Sequence, residues 1–68
     1  MGVSTFFIKE INGEQQLQSL EHSLTSLAGV ERALIDTNDN EIKIEYNETK
    51  IDLRQIAQNI ENNGFQIK

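Results

Sequence analysis

The residues best placed to do chemistry lie in the stretch Glu10-Ile11-Asn12-Gly13-Glu14-Gln15-Gln16-Leu17, where a short apolar run ends and a helical pattern begins. Val3 to Ile8 before it reads as a strand, while Leu17, Leu20, Leu24 and Leu27 after it fall on one face of an α-helix. Asn12 stands where an N-cap belongs, and Gln15 three places later completes a capping-box pattern. Gly13 permits a tight turn and a close approach of backbone to a ligand or partner. Such a strand-loop-helix element exposes free backbone N–H groups at a helix N-terminus. Loops held on a rigid frame are where small domains tend to keep their function. This one contains no thiol, no histidine and no nucleophile.

Other candidates are few. His22 is the only histidine, and its helical position sets it opposite the leucine stripe, beside Gln18 and Ser26. No second ligand sits four residues away and Glu21 lies on another flank, so a solvated surface histidine is the expectation. Asp36, Asp39 and Glu41 are acidic and interleaved with Thr37, Asn38 and Asn40, but they lack the alternate-position ligands and final glutamate of a calcium loop. A hairpin turn accounts for them. No nucleophile, base and orienting acid can be assembled, and the carboxylates are scattered over polar faces. The chain is therefore read as a non-enzyme without a cofactor.

Composition narrows the classes further. Sixty-eight residues are read as one domain, 1–68, which buries about 60% of the surface its unfolded chain exposes and so has modest stability. There is no cysteine, which removes disulfides and zinc–thiolate sites and suits a reducing compartment. Six basic against eleven acidic residues give a formal charge of −5, which argues against nucleic acid as a partner. No apolar run approaches the ~20 residues of a membrane span, and the N-terminus lacks a basic region followed by an apolar stretch. A cytoplasmic protein is the expectation.

The elements that must position the loop follow in order. Strand one covers about Val3 to Lys9, with Phe6 and Ile8 on one face and Phe7 on the other. Helix one runs from about Gly13 to Leu27 and ends at Ala28-Gly29, with Gly29 as the residue just past the cap. Val30 to Thr37 is strand two, with Val30, Ala33 and Ile35 inward. Asp36 to Asn40 turns the chain into Glu41 to Tyr46, where Ile42, Ile44 and Tyr46 alternate with Lys43 and Glu45. After a polar connection, Asn47 to Ile51, Asp52 caps helix two with Gln55 as its partner, and Leu53, Ile56, Ala57 and Ile60 form the apolar stripe. Asn62-Asn63-Gly64 stops that helix, and Phe65 and Ile67 make a short last strand.

The order βαββαβ implies an α+β, ferredoxin-like sandwich, with two helices on one face of a four-stranded antiparallel sheet. Its expected core is Phe6, Ile8, Leu17, Leu20, Leu24, Leu27, Val30, Ile35, Ile42, Ile44, Leu53, Ile56, Ile60 and Ile67. Phe7 and Leu34 point to the open side of the sheet, where with Val3 they would mark a partner face if they joined into a patch.

Within that fold, the details resemble heavy-metal-associated domains, and the bacterial copper chaperones above all. In those proteins a strand leads to Gly-Met-x-Cys-x-x-Cys, then a helix, Gly-Val, two alternating strands, and a second helix ending in Gly-Tyr or Gly-Phe. Here the corresponding text is Glu10-Ile11-Asn12-Gly13-Glu14-Gln15-Gln16, Leu27-Ala28-Gly29-Val30, Glu41 to Tyr46, and Ile56-Ala57-x-x-Ile60-Glu61-x-x-Gly64-Phe65. The resemblance covers the whole chain without gaps. It places Gly13 and Gln16 at the positions of the two metal-binding cysteines, Glu10 at the usual glycine, and Ile11 at the buried methionine. Phe65 falls where the family's aromatic residue packs beside the metal loop.

Soft Cu(I) selects thiolates, whereas glycine offers only backbone and glutamine a hard neutral oxygen. No metal is therefore expected at this loop. The resemblance implies a docking edge instead, made of Glu10, Ile11, Asn12, Gly13, Glu14, Gln16 and Phe65, through which a protein partner would be met. Two other readings stay open: weak metal carriage by oxygen and nitrogen ligands such as Glu10, Glu14 and His22, or thiolates lent by a partner; and small-molecule sensing resembling the amino-acid-binding ACT domains.

Overall fold

The computed structural model describes residues 1–10 and 13–68. Its elements are β1 (Gly2–Phe7), α1 (Glu14–Thr25), β2 (Val30–Asp36), β3 (Glu41–Tyr46) and α2 (Leu53–Asn62). β3 lies in the centre of an antiparallel sheet of order β1-β3-β2, with Gly2 opposite Tyr46 and Phe7 opposite Glu41 on one side. On the other side, Val30 is opposite Tyr46 and Asp36 opposite Glu41.

The expected fourth strand is a correction. Ile8 and Ile67 form one antiparallel bridge, flanked by Lys9 N–H donating to the Gln66 carbonyl at 2.9 Å and Lys68 N–H donating to the Phe7 carbonyl at 2.8 Å. Phe65 is still held by the end of α2, where its N–H reaches the Ile60 carbonyl, so pairing with β1 begins only at Gln66. A bridge results rather than a ladder. Ile8 N–H donates to the Asn40 carbonyl, on the β3 side, and backbone groups alternate sides along a strand. The tail therefore runs along the opposite edge of β1.

Strand two shows why Val30 and Ala33, three residues apart, both point inward. Between Val30 and Arg32 the register shifts by one, so Glu31 is the extra residue of a β-bulge. Ala33 then faces Ile44 and Ile35 faces Ile42, restoring the ordinary alternation. At the hairpin, Asp36 Oδ1 accepts from the backbone of Asn38 (2.9 Å) and Asp39 (3.3 Å), and Asn40 takes a left-handed conformation with φ 53°.

The core gathers Ile8, Leu20, Leu24, Val30, Ala33, Ile42, Ile44, Tyr46, Ile51, Ile56, Ile60 and Phe65, with Phe6, Leu17, Leu27, Ile35 and Ile67 packed at its margin. Leu53, expected inside, is 41% exposed. It is the first residue of α2, one position past the cap, and the inward residue at that end is Ile51, just before the cap. Ile51 and Ile56 occupy the two positions of a hydrophobic staple, and both are buried. Helix one ends two residues earlier than expected. Thr25 and Ser26 turn their hydroxyls onto the carbonyls of Glu21 and His22, and the chain leaves the helix for a turn in which Val30 N–H meets the Leu27 carbonyl. Gly29 follows with φ 100°, and a Cβ there would fall 2.8 Å from Ile51 Cγ2. Only glycine suits that crossing.

Candidate docking site

The start of α1 is built differently from its sequence expectation. The cap is Gly13, with φ 147° and ψ 155°, and no side chain caps the helix. Asn12, the expected cap, and Ile11 lie outside the described residues. With the cap on Gly13, Gln15 is no longer three residues on; that place belongs to Gln16. Leu17 N–H closes the first turn on the Gly13 carbonyl at 3.2 Å. Gly13 itself offers the first-turn N–H groups before it no side-chain acceptor. Glu14 sits exposed in this turn, where a carboxylate is favourable to the helix dipole by roughly 0.3–1 kcal/mol and needs no ligand to explain it.

Helix two is the counterpart from which the rest of the site comes. At its start, Asp52 Oδ1 accepts from Gln55 N–H (2.9 Å) and Gln55 Oε1 accepts from Asp52 N–H (3.1 Å), the full capping box that the sequence predicts. Its end closes with Gly64 N–H on the Glu61 carbonyl (2.9 Å) and Phe65 N–H on the Ile60 carbonyl (3.4 Å). This is a Schellman motif, with Gly64 at φ 90° in the left-handed position. The motif drives Phe65 into the core, where it is 3% exposed. Phe65 thus forms the floor of an open cleft of about 330 Å³, lined also by Lys9, Glu10, Gln16, Gly64 and Gln66.

Of the predicted docking residues, Glu10, Gln16 and Phe65 meet around this cleft, and Gly13 and Glu14 open α1 at the same end. Sequence reading missed Lys9, Gly64 and Gln66, which follow from placing Glu10 and Phe65 there. It also missed a polar chain between the helices. Gln16 Nε2 donates to the Asn63 carbonyl at 3.4 Å. Asn63 Nδ2 donates to the Asn59 carbonyl (2.8 Å) and to Ser23 Oγ (3.3 Å), and Ser23 Oγ donates to Asn59 Oδ1 (3.0 Å). Asn59 on α2 and the cap residue Asn63 four beyond it, with Ser23, seven beyond Gln16 on α1, are the only sequence trace of it.

The donor set decides what this end can hold. Gly13 supplies no side chain, and a Cβ built there would touch nothing within 4 Å. Gln16 supplies an amide already engaged with Asn63. The chain has no thiol at all. Residues of this kind do not fit Cu(I), which takes soft sulfur ligands. Nor does the structure assemble Glu10, Glu14 and His22. His22 lies in the last turn of α1, eight residues and about 12 Å of helix rise from Glu14. Among the described residues, the one group of acids or histidines close enough to share a cation is Asp36, Asp39 and Glu41, whose nearest oxygens lie within 4.8 Å of one another. Asp36 Oδ1 already accepts the two turn amides, and the hairpin explains the grouping.

The open face of the sheet does not form a continuous apolar patch. Val3 (58% exposed) and Phe7 (51%) are on β1, Leu34 is on β2, and the charged row Glu41, Lys43 and Glu45 of β3 runs between them. Among the described residues no helix is long and apolar enough to cross a membrane.

No family model matches the chain. Comparison with characterised proteins finds a copper chaperone CopZ of Staphylococcus haemolyticus, 30% identical over 50 residues, which span 74% of each chain. Among solved structures, a CopZ metallochaperone superposes with a TM-score of 0.92 at 16% identity, covering 98% of this chain and all of the other. A CsoZ metallochaperone gives 0.90 at 25% identity over 98% of this chain and 96% of its own.

Proposed function

The chain belongs to the copper-chaperone family of heavy-metal-associated domains, and from that premise we propose that it is a docking module that has given up its own metal ligands. On this reading, residues 1–68 act as one cytoplasmic domain without enzymatic activity. The domain meets a protein partner through Glu10 to Gln16 and the Gly64–Phe65 turn. Its partner is a metal-handling domain of the same fold that carries its own thiolates. The module then regulates that partner, or occupies it as a decoy, and carries no copper itself.

One observation carries this reading. The frame of a metal-loop end is intact, with an uncapped helix start, a buried Phe65 and an open cleft beside it, while no thiol exists anywhere in the chain. Phe65 also serves the core, so it is the glycine-capped helix start and the open cleft beside that ring that favour a docking surface. The test is an amide chemical-shift titration of the labelled protein with a metal-free heavy-metal-associated domain bearing both cysteines. Shifts centred on Gly13 to Leu17 and Gly64 to Gln66 are expected. Shifts confined to Val3, Phe7 and Leu34, or none at millimolar partner, overturn the proposal.

A further inference from the structure

The hydrogen-bond chain between the helices has a role that the docking reading does not use. Gln16 and Asn63 are 47 residues apart in sequence, yet the Gln16 amide ties the first turn of α1 to the residue that ends α2. That same residue is anchored on its other side, since the Asn63 side chain is bound to Asn59 and Ser23. The arrangement is also tight. A Cβ on Gly64 would fall 3.3 Å from Gln16 Nε2, so the glycine that permits the helix-end turn also leaves room for the Gln16 amide.

We infer that Gln16 is a positioning residue, a latch that holds the α1 start and the Gly64–Phe65 turn in one fixed relation without any bound ligand. An uncapped helix start is prone to fray, because its first turn lacks internal acceptors. Gln16 sits in that first turn, and its amide borrows its order from α2, whose end is fixed by a Schellman motif and a buried aromatic ring. In the other direction, the Asn63 carbonyl receives a donor that the helix itself does not provide. The edge offered to a partner is thereby formed in advance, which lowers the ordering cost of docking. This rests on the docking reading for its purpose, but its test needs no partner, so the two fail separately.

Backbone ¹⁵N order parameters read the latch directly. In the native protein, values near 0.85 are expected both at Glu14 to Leu17 and at Asn63 to Phe65, with one Gln16 side-chain amide proton shifted downfield. Gln16→Met keeps length and helix propensity but removes the donor. It should lower both segments together, toward 0.6, while Leu20 to Leu24 stays rigid. Ser23→Ala, which leaves the α1 backbone untouched and frees one side of Asn63, should loosen Asn63 to Phe65 and, through Gln16, the α1 start by a smaller amount. A Gln16→Met protein in which only residues 14–17 loosen shows an ordinary helix-start residue and overturns the latch. So does one in which neither segment changes. Intact order parameters in Gln16→Met with partner shifts still at this end would sink the latch and leave the docking reading standing.

Discussion

The two helices of this molecule begin in opposite ways. Helix α2 starts on Asp52 and Gln55, which satisfy each other's backbone, with Ile51 and Ile56 buried beneath them. There the Asp52 and Gln55 N–H groups are answered by each other's side chains. Helix α1 starts on Gly13, whose φ of 147° suits little but glycine, and no side chain caps it. Its first turn contributes Gln16 to a cleft floored by Phe65. Sequences agree with local rules where stability is the only demand, and depart from them where a surface must stay available. On the proposed docking reading, the closed start serves the fold and the open one the partner surface.

Substitutions can break or sharpen that contrast. Phe65→Ala removes the floor of the open end and one of the core's large side chains, and should cost about 3–5 kcal/mol in urea unfolding. A loss under 1 kcal/mol would mean that Phe65 is not packed as described. Gly13→Ala meets no atom within 4 Å, so any cost is conformational; about 1–3 kcal/mol is expected from a backbone region nearly reserved for glycine. A neutral result would show that the open start is not held in this conformation in solution. At the closed start, Asp52→Ala should cost about 1 kcal/mol through loss of the cap, with Gln55→Ala smaller. If the aspartate change were silent, the two starts would not differ as described. Leu53→Gln, at the exposed first residue of α2, should stay within about 0.5 kcal/mol by the same measurement.

Much of the fold was legible in order and pattern. The strand and helix sequence, the Asp52–Gln55 box, the Asn63–Gly64 stop and the β3 alternation all follow from local rules that the structure obeys. What escaped was set by distant contacts. Ile51 reads as part of a polar linker until the cap at Asp52 makes it a staple residue. Leu53 reads as core because the apolar stripe was extended one step too far toward the helix start. The fourth strand shrinks to one bridge because the α2 end keeps hold of Phe65. At the candidate site the linkage between the helices was not legible. Glu10, Gln16 and Phe65 line one cleft, but nothing local pairs Gln16 with Asn63 across 47 residues. Polar side chains at helical spacing look like a solvated face until the second helix is laid against it.

The central claim is that this end keeps its shape and has no metal ligands of its own. Amide NMR of the labelled protein, titrated with Cu(I) and then Zn(II) under reducing conditions, tests it most directly. Beside it, Gly13→Cys/Gln16→Cys serves as a positive control, expected to take up Cu(I) at the restored thiolates. In the native chain the Gly13, Glu14 and Gln16 resonances should not move at equimolar metal. Slow-exchange shifts of those three residues in the native chain would contradict the claim, and would mean that other donors at this end replace sulfur.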